Sequence, residues 1–481
     1  MSSKNFFVNS GSAVSNNFVL PLMNGEDAWR QVYNQMNAAK HSINLCFWGF
    51  ESNHQLIRNQ NEILLGPSKR SQYTMYALLQ KKKKEGVRIR ILLWELPFNA
   101  GWNFSDILIR LSGAIGDLEV MYQPHPTRTI IGSWHQKTIV IDDQIGFVSG
   151  MNAKENDWDT SSHLVFDGRR AKHTLDAAAR KKINVHQDYN GIDPPRRDYM
   201  ALVQGPAVTA IQMNFVERWN YCIAEKCHFH DKVSKMAIPT LNQPFSDVKA
   251  QITRTLPKYK VTPRGEYSIS DSYINAIRLA ETYIYIEDQY FRSQVLAAEL
   301  VKALVKNRKL IIIVVTQPDY LSEIEPEESW KVATPSTYWT NKAFETITKS
   351  FPEFMLFYLQ SSAVIKGKRV FKTVNIHSKI MIVDDEFYTI GSANVNERSF
   401  EYDGELNIAV HHGSAKDFRK KVFSNILQTT CPDDINQAAR LWYNHASSNH
   451  RAFKTSSQPK SLVYPFNQKG PLIPLVPNDW N

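Results

Sequence analysis

One pattern occurs twice in this chain of 481 residues, and it limits the possible folds more than any other feature. The stretch SWHQKTIVIDDQIGFVSGMN, residues 133–152, matches NIHSKIMIVDDEFYTIGSAN, residues 375–394, in residue type and spacing. In both copies a lysine follows the histidine by two positions, and an asparagine follows it by 17. Two copies at equivalent places indicate a duplicated structural unit rather than a chance match.

The surrounding sequence repeats as well and predicts alternating strands and helices. The stretches AAKHSINLCFWGFE and LAETYIYIEDQYFR, residues 38–51 and 279–292, each combine a helix end with an apolar strand. A further apolar strand follows in each half, at 87–96 and 309–317. Alternation of this kind is typical of α/β layers. We therefore expect an α/β fold of two similar lobes, each with a mixed sheet flanked by helices, related by a pseudo-twofold axis.

The boundary between the lobes is predicted near residue 250. Residues 227–264 are polar and contain prolines, and IPTLNQPFSDV within them is typical of a linker. The second half also carries an insertion that includes PDYLSEIEPEESWKVATPSTYW. The predicted division is an N-terminal extension at 1–24, a first lobe at 25–250 with the motif 135–152, and a second lobe at 251–481 with the motif 375–394.

The repeated polar side chains suit an anionic phosphorus centre. Six residues are expected to meet between the lobes: His135, Lys137, Asn152, His377, Lys379 and Asn394. The lysines can hold an anionic group, and the asparagines can donate hydrogen bonds to it. One histidine can attack phosphorus while the other protonates the leaving alcohol and then activates water, because imidazole titrates near neutral pH. Two histidines make a poor zinc site and no carboxylate cluster suits Mg²⁺ or Ca²⁺, so we expect no metal and no cofactor.

Each histidine also needs a partner on its far ring nitrogen, because such a partner fixes the tautomer. Two carboxylates follow the motifs: Asp167, in HLVFDG, comes 32 residues after His135, and Glu405, in YDGELNIAV, comes 28 residues after His377. We therefore expect Asp167 to support His135 and Glu405 to support His377. Either carboxylate could equally be a surface charge.

A second kind of carboxylate follows the lysine in each copy. Asp142 and Asp384 stand five residues beyond their lysines, past a full apolar strand. They are therefore expected at the other end of that strand, away from the chemistry. We expect them to cap or salt-bridge the scaffold.

The bulk properties limit partners and compartment. The net charge of +10 and the pI near 9.1 favour anionic partners, whether nucleic acid, acidic membrane surfaces or phosphorylated small molecules. The four cysteines show no CxxC or metal-ligand spacing, which suits a reducing compartment, although two disulfides stay possible. The sequence shows neither a secretory signal nor a run of about 18 apolar residues. We therefore expect a soluble monomer that is cytoplasmic in the producing cell.

The paired motifs resemble those of the phospholipase D superfamily, whose signature HxKx4D occurs twice in one chain. HQKTIVID and HSKIMIVD both fit it, and the downstream G-[GS]-x-N element is present as GSAN and, with Gly and Ser exchanged, as SGMN. The stretches IYIEDQYF, NDWDTSSH and RRDYMALVQGPAVTAIQMNFVERWN are similar to segments of the phospholipases D themselves. Two departures are Asp288, where Asn is usual, and RDY in place of the common WHD. The resemblance covers about residues 24–421.

The resemblance implies an active site between the lobes and a phosphohistidine intermediate, with His135 as the nucleophile and His377 as the acid and base. It implies hydrolysis of membrane glycerophospholipids to phosphatidic acid and a free headgroup, with possible transfer to other alcohols. The expected partner is a phospholipid membrane surface, with no obligatory nucleic acid. A nuclease, a cardiolipin synthase-like phosphatidyltransferase and a catalytically dead binding protein are the alternatives.

The compact form of the chain resembles bacterial phospholipase D effectors delivered by type VI secretion. This resemblance implies export without a cleaved signal peptide and action at a target-cell membrane. It also implies a secretion-system component and an immunity protein as partners.

Overall fold

The computed structural model describes residues 4–9, 13–59, 66–95, 118–124, 132–172, 174–185, 192–229, 233–258, 263–318 and 337–466. Most of the insertion predicted in the second half lies outside these residues, as does the end of the chain from residue 467. Within the described ranges, none of the helices combines the length and the apolarity that a bilayer-spanning segment requires.

The first lobe is a mixed sheet with helices packed against its faces. Its strands are β1 (Val14–Met23), β2 (Ser42–Phe47), β3 (Arg88–Trp94), β4 (Glu119–Gln123), β5 (Thr138–Ile141), β6 (Ile145–Ser149), β7 (Arg196–Arg197), β8 (Tyr199–Gln204) and β9 (His228–Phe229). Its helices are α1 (Asn24–Ala38), α2 (Pro67–Arg70), α3 (Met75–Lys84), α4 (Ala177–Asn184) and α5 (Ala207–Ala224).

The second lobe repeats this plan. Its strands are β10 (Val248–Leu256), β11 (Glu266–Tyr267), β12 (Tyr283–Asp288), β13 (Ile311–Thr316), β14 (Leu356–Ile365), β15 (Lys368–Thr373), β16 (Asn375–Ile376), β17 (Lys379–Val383), β18 (Phe387–Gly391), β19 (Glu405–His411) and β20 (Val463–Pro465). Its helices are α6 (Ser268–Leu279), α7 (Gln294–Lys306), α8 (Thr337–Thr348), α9 (Ser414–Leu427) and α10 (Ile435–Lys454).

Strand pairing shows the duplication directly. In the first lobe β2, β3 and β4 are parallel, and β5, β6, β8 and β1 extend the sheet in antiparallel pairs. In the second lobe β12, β13 and β14 are parallel, and β17, β18, β19 and β10 extend that sheet in the same way. The predicted α/β class with two similar lobes is therefore confirmed. Two strands follow the motif histidines: β5 begins just after Lys137, and β17 begins at Lys379. Both strands are buried on both faces, which explains their continuous apolar runs.

The segment predicted as an N-terminal extension contains a sheet strand. β1 pairs with β8 from Phe18 to Met23, and its first residues pair with β10. The extension predicted at 1–24 therefore does not lie wholly outside the lobes, because ten of its residues form the strand that joins their two sheets. The predicted limit at residue 250 falls inside β10, which begins at Val248.

The two sheets share one apolar core. Side chains of β5, β6 and β8 pack with side chains of β12, β17, β18 and β19 in a single buried cluster, which includes Val148, Tyr199, Tyr285, Ile382 and Tyr388. Separate clusters lie between each sheet and the helices on its outer face. The lobes are therefore packed face to face, and the ends of their parallel strands lie at one common edge.

Candidate active site

Each motif histidine contacts a carboxylate from the other lobe. His135 Nδ1 lies 3.0 Å from Glu405 Oε1, and His377 Nδ1 lies 2.7 Å from Asp198 Oδ2. The predicted pairing is therefore wrong in both halves, because Glu405 supports the first histidine and not the second. Sequence proximity misled the prediction, since the chain folds each carboxylate across to the opposite motif.

Asp167 has a different structural role. Its carboxylate forms an ion pair with Arg169 at 2.7 Å and accepts the peptide N–H of the same residue at 2.9 Å. Arg169 also reaches Glu26 in the first lobe. Asp167 is therefore part of a buried ion-pair cluster, and the expectation that it supports His135 is not met.

The exchange of carboxylates follows from reciprocal main-chain contacts. The peptide N–H of His135 donates to the carbonyl of Gly404 at 2.9 Å, and that of His377 donates to the carbonyl of Arg197 at 2.8 Å. Gly404 and Arg197 are the residues immediately before the two carboxylates. Each motif therefore docks at the start of β8 or β19 of the other lobe, which places the next side chain at the histidine ring.

Two glycines make this docking possible. A Cβ on Gly404 would lie 2.2 Å from the Trp134 ring, so only glycine lets Trp134 pack there. A Cβ on Gly150 would lie 2.2 Å from Asp198 Oδ1. The equivalent residue of the second copy is Ser392, whose hydroxyl donates to Glu405. The exchange of Gly and Ser between SGMN and GSAN therefore follows from the two carboxylates. Asp198 needs the space that Gly150 leaves, whereas Glu405 accepts a hydrogen bond from Ser392.

The two lysines are buried close to both rings. Lys137 and Lys379 are each 1% exposed, and each ammonium group donates to the carbonyl of its motif histidine. Burial lowers the pKa of Lys137 to about 7 and also lowers the pKa of Lys379. Burial, together with the charges of both lysines, lowers the pKa of His135 and of His377 well below the ordinary value. Desolvated cations of this kind favour an anion in the same space.

The carboxylates respond to burial in the opposite direction. Burial raises the pKa of Asp198 and of Glu405 to about 7, against the opposing charges of nearby lysines. Glu405 accepts hydrogen bonds from the hydroxyls of Ser392 and Ser399, whereas Asp198 Oδ1 accepts the peptide N–H of Tyr199 at 2.8 Å. Each carboxylate is therefore held at its histidine by at least one further hydrogen-bond donor.

The two motif asparagines are both nearly buried, but their surroundings differ. Asn152 Oδ1 accepts the peptide N–H of Gly49 at 3.0 Å, which orients the amide. In the second lobe, the equivalent N–H belongs to Tyr290 and is bound by Asp288 Oδ1 at 2.9 Å. Asn394 Oδ1 is buried and has no hydrogen-bond partner in the described chain. The amide nitrogen of Asn152 therefore has the better fixed direction.

Asp142 and Asp384 lie at the far end of the motif strands, as predicted. Asp142 accepts the peptide N–H groups of three consecutive residues, from Lys40 to Ser42. Asp384 accepts three peptide N–H groups, from Glu281 to Tyr283, and also pairs with Lys4 at 2.9 Å. Each aspartate has positive φ at the first position of the three-residue hairpin loop between the motif strand and the next strand. The repeated Asp pair thus fixes the loop before β2 or β12.

Two features of the site were not predicted from the sequence. Asp198 lies in RDY, the stretch that replaces WHD, and the aspartate retained there was the available signal. Trp48 lies with its ring centroid 5.8 Å from that of His135 and 6.0 Å from Lys137 Nζ. An aromatic residue at a strand end carries no distinguishing sequence signal. Trp48 therefore forms a wall of the site that only the fold shows.

The arrangement can bind and attack an anionic phosphorus centre. Nδ1 of both rings is occupied by a carboxylate, and neither Nε2 makes a hydrogen bond within the described residues. Both Nε2 atoms are therefore available for bond formation or proton transfer, with two buried ammonium groups beside them. Among the residues that the structure describes, no group of three or more His, Cys, Asp or Glu is placed to hold a metal ion.

Two family models match this chain. The model described as "Phospholipase D" matches residues 119–313, and the model described as "Cardiolipin synthase, PLD-like domain" matches residues 273–427. Together they extend across both motif histidines and both partner carboxylates.

Individual proteins are similar at low identity. Phospholipase D A of Dictyostelium discoideum is 29% identical over 388 residues, which cover 71% of this chain and 29% of that protein. Phospholipase D alpha 4 of Arabidopsis thaliana is 25% identical over 527 residues, which cover 91% of this chain and 66% of that protein. The chain thus spans between 29% and 66% of the length of these relatives. The crystal structure of a phosphatidylserine synthase from Haemophilus influenzae Rd KW20 superposes with a TM-score of 0.54, at 11% identity, over 92% of this chain and 95% of that one, which shows a shared fold.

Proposed function

Because this chain belongs to the phospholipase D superfamily, we propose that it is a phospholipase D that hydrolyses membrane glycerophospholipids to phosphatidic acid and the free headgroup. The observation that carries the proposal is the reciprocal geometry of the two histidines. Each ring is fixed by a carboxylate of the opposite lobe, and each leaves Nε2 open beside the two lysines. A phosphodiester is the substrate class that uses two such rings and two cations at once.

The first step forms a bond between one imidazole Nε2 and phosphorus. The phosphorus–oxygen bond to the headgroup breaks, and the imidazolium of the other histidine gives its proton to the departing alcohol oxygen. In the second step the ring that has become neutral takes a proton from water as the water oxygen attacks phosphorus. The phosphorus–nitrogen bond breaks, and phosphatidic acid leaves. Lys137 and Lys379 hold the non-bridging oxygens throughout.

The charge of the substrate sets the protonation states that these two reaction steps need. In the unliganded site, burial and the two lysines lower the pKa of His377 well below its ordinary value. A bound phosphodiester anion offsets the lysine charges and favours the imidazolium form of the acid. Asp198, hydrogen-bonded to His377 Nδ1, stabilises the same imidazolium. Substrate binding therefore prepares the general acid.

We assign the nucleophile as His135 and the acid and base as His377. This assignment follows the superfamily resemblance, and the near-symmetric geometry is compatible with it. The assignment predicts that His377→Asn traps a phosphorylated enzyme from a phosphatidyl ester of p-nitrophenol, because that leaving group needs no proton from His377, His135 can still attack and water is no longer activated. His135→Asn should give no phosphorylated enzyme. Rapid quench of each variant with phosphorus-labelled lipid in alkaline denaturant, in which the phosphorus–nitrogen bond is stable, tests the order.

The activity is tested on vesicles of phosphatidylcholine and phosphatidylethanolamine, with EDTA and a primary alcohol present. Phosphatidic acid and the phosphatidylalcohol are the expected products, because any alcohol can accept from the phosphohistidine. His135→Ala and His377→Ala should each abolish both products, while His41→Ala, an exposed histidine at the opposite edge, should not. Cleavage of plasmid DNA without lipid turnover would overturn the proposal.

A phosphatidyl transfer reaction is the second candidate. It is favoured by the match of residues 273–427 to the family model named for cardiolipin synthase. A phosphohistidine can be resolved by a lipid alcohol as readily as by water. Phosphatidylglycerol as the only lipid then separates the two, since cardiolipin plus glycerol indicates transfer and phosphatidic acid plus glycerol indicates hydrolysis.

Export as an effector stays a prediction from the resemblance. It requires that the producing cell be protected and that a competitor be harmed. Co-culture of a producing strain with a sensitive strain, with and without the His377→Ala variant, measures both effects. Equal survival of the competitor in both cultures would contradict the effector role.

A further inference from the structure

The second lobe carries a basic two-stranded ribbon that extends from the active-site edge of its sheet. β14 is level with the ends of β12 and β13 near Tyr358, and it continues from Leu359 to Ile365 beyond that level. From Gln360 onward its only strand partner in the described chain is β15. The basic ribbon is defined here as residues 360–373.

The tip of the basic ribbon is a tight turn made of charged and permissive residues. Lys366 and Gly367 have φ of 47° and 77°, as a two-residue hairpin turn of this hand requires. Lys366 and Lys368 are exposed and form no ion pair with any residue of the described chain. Their charges therefore face solvent without compensation.

The two chain segments that form this region contain no acidic residue. No aspartate or glutamate occurs between Phe354 and Val383, or between Ile435 and Phe466. Phe371 of the basic ribbon packs edge-on against Phe453 of α10, with ring centroids 4.9 Å apart. That contact brings the exposed Arg451 and Lys454, in the last turn of α10, to the base of the ribbon. Ribbon and helix end thus form one cationic surface.

The distal basic ribbon also presents apolar side chains. Val364 is 49% exposed, and Ala363, Ile365 and Val370 around it are only partly buried. Residues 361–370 of the basic ribbon include no aromatic side chain, so the distal ribbon itself offers no platform for base stacking. Cations combined with exposed aliphatic groups suit an anionic lipid interface better than a nucleic acid.

The basic ribbon is also joined directly to the site. β15 continues through Val374 into β16, and the next residue is His377. β16 pairs in parallel with β7, the strand that ends beside Asp198. A surface that engages the ribbon would therefore meet the protein at the same edge as the histidines.

We propose that the basic ribbon is a docking element for an anionic phospholipid surface, which brings the active-site edge of the molecule against the bilayer. This inference rests on the proposed function for its substrate, but not for its binding partner. Each lysine near an anionic bilayer contributes about fivefold to the binding constant at moderate salt. Removal of two tip lysines should therefore weaken vesicle binding about 25-fold.

The test compares the full chain with Lys366→Gln/Lys368→Gln and with a control, Lys306→Gln/Lys309→Gln. The control removes two exposed lysines at the end of α7 and just before β13, which is the end at which the parallel strands of the same sheet begin. Flotation with vesicles of phosphatidylcholine, with and without a third of phosphatidylglycerol, measures binding at low and high salt. We expect the tip variant alone to lose binding to the anionic vesicles, and high salt to weaken binding of the parent.

Turnover is measured on the same anionic vesicles and on a short-chain phosphatidylcholine held below its critical micelle concentration. The tip variant should lose vesicle turnover and keep turnover of the monomeric lipid. Equal vesicle binding by the tip variant and the parent would overturn the inference, as would equal losses in the control. The inference would also be overturned if the parent did not bind vesicles and the tip variant lost only the binding of duplex DNA. Absence of turnover on either lipid, with the difference in vesicle binding preserved, would refute the proposed function and leave the ribbon inference standing.

Discussion

The substitution Asp198→Asn tests the cross-lobe pairing most directly. In the native site Asp198 Oδ1 accepts the peptide N–H of Tyr199, and Oδ2 lies 2.7 Å from His377 Nδ1. An asparagine has only one oxygen to offer. If that oxygen keeps the Tyr199 N–H, the amide nitrogen faces the ring and donates to Nδ1. The proton of neutral His377 then moves to Nε2, the atom that has to take a proton from water.

The size of the effect follows from this change of tautomer. Replacing the carboxylate behind a catalytic imidazole by an amide costs about 10⁴ in kcat in a serine protease, where the tautomer is also inverted. We expect a fall of about 10³- to 10⁴-fold for Asp198→Asn, which is about 4–5.5 kcal/mol of transition-state stabilisation. Folding stability should change little, because burial raises the pKa of Asp198 to about 7 and so already disfavours its charge.

Asp167→Asn is the matched control. It makes the same chemical change at a buried aspartate of the same lobe, 3% exposed, which pairs with Arg169 instead of a histidine. We expect a loss of about 1–3 kcal/mol of stability from the weakened charged hydrogen bonds, with kcat within a few-fold of the parent.

Steady-state kinetics with phosphatidylcholine and thermal unfolding of both variants give the four numbers needed. We expect Asp198→Asn to lose activity and keep its stability, and Asp167→Asn to lose stability and keep its activity. If Asp198→Asn keeps a tenth of the parental kcat, or if Asp167→Asn is equally inactive, the assignment of the histidine partner is refuted.

Three other perturbations give separate checks. Glu405→Gln should lower kcat only about 10- to 100-fold. The hydroxyls that donate to Glu405 can rotate, so the amide oxygen of the glutamine can keep facing the His135 ring. A loss as large as that of Asp198→Asn would contradict this expectation. Because the pKa of Lys137 is about 7, kcat/KM should fall as pH rises above that value, since the free enzyme loses the charge that binds phosphate. Lys137→Arg should move this limb of the pH profile to higher pH, and an unchanged profile would show that Lys137 is not the group titrated. Gly150→Ala should abolish activity, because the Cβ of the alanine would lie 2.2 Å from Asp198 Oδ1. A native rate would show that the Asp198 carboxylate can move without loss of activity.

The repeated motif was sufficient to predict the α/β lobes and the buried strands that follow the histidines, although His135, Lys137 and His377 lie just before these strands. That success has a physical reason, because a short, continuous apolar run is typical of a strand that is buried on both faces. The turn made by Asp142 and Asp384 was also predictable, since the position at a strand end is a local property. Residues within about ten positions of a motif are governed by the same strand and its turn.

The partner carboxylates could not be assigned from spacing alone. Asp167 and Glu405 stand at similar distances from their own histidines, yet Glu405 crosses to the other lobe and Asp167 pairs with Arg169. Their environments depend on how two sheets dock, which no local pattern records. Alignment of the two strands that follow, β8 and β19, pairs Asp198 with Glu405, so internal symmetry was the missing constraint. The role of β1 was missed for the same reason, because its partners lie far away in sequence.

β1 has a mechanical consequence. It is hydrogen-bonded to both sheets, and at the other end of the molecule the peptide groups of the two motifs bind the opposite lobe. The lobes are thus hydrogen-bonded to each other at both ends and cannot separate by a hinge motion without breaking main-chain hydrogen bonds. The spacing between the two imidazoles is set when the protein folds, not when the substrate arrives. Such a catalyst works as a rigid template, and crosslinks between the lobes far from the site should leave its turnover intact.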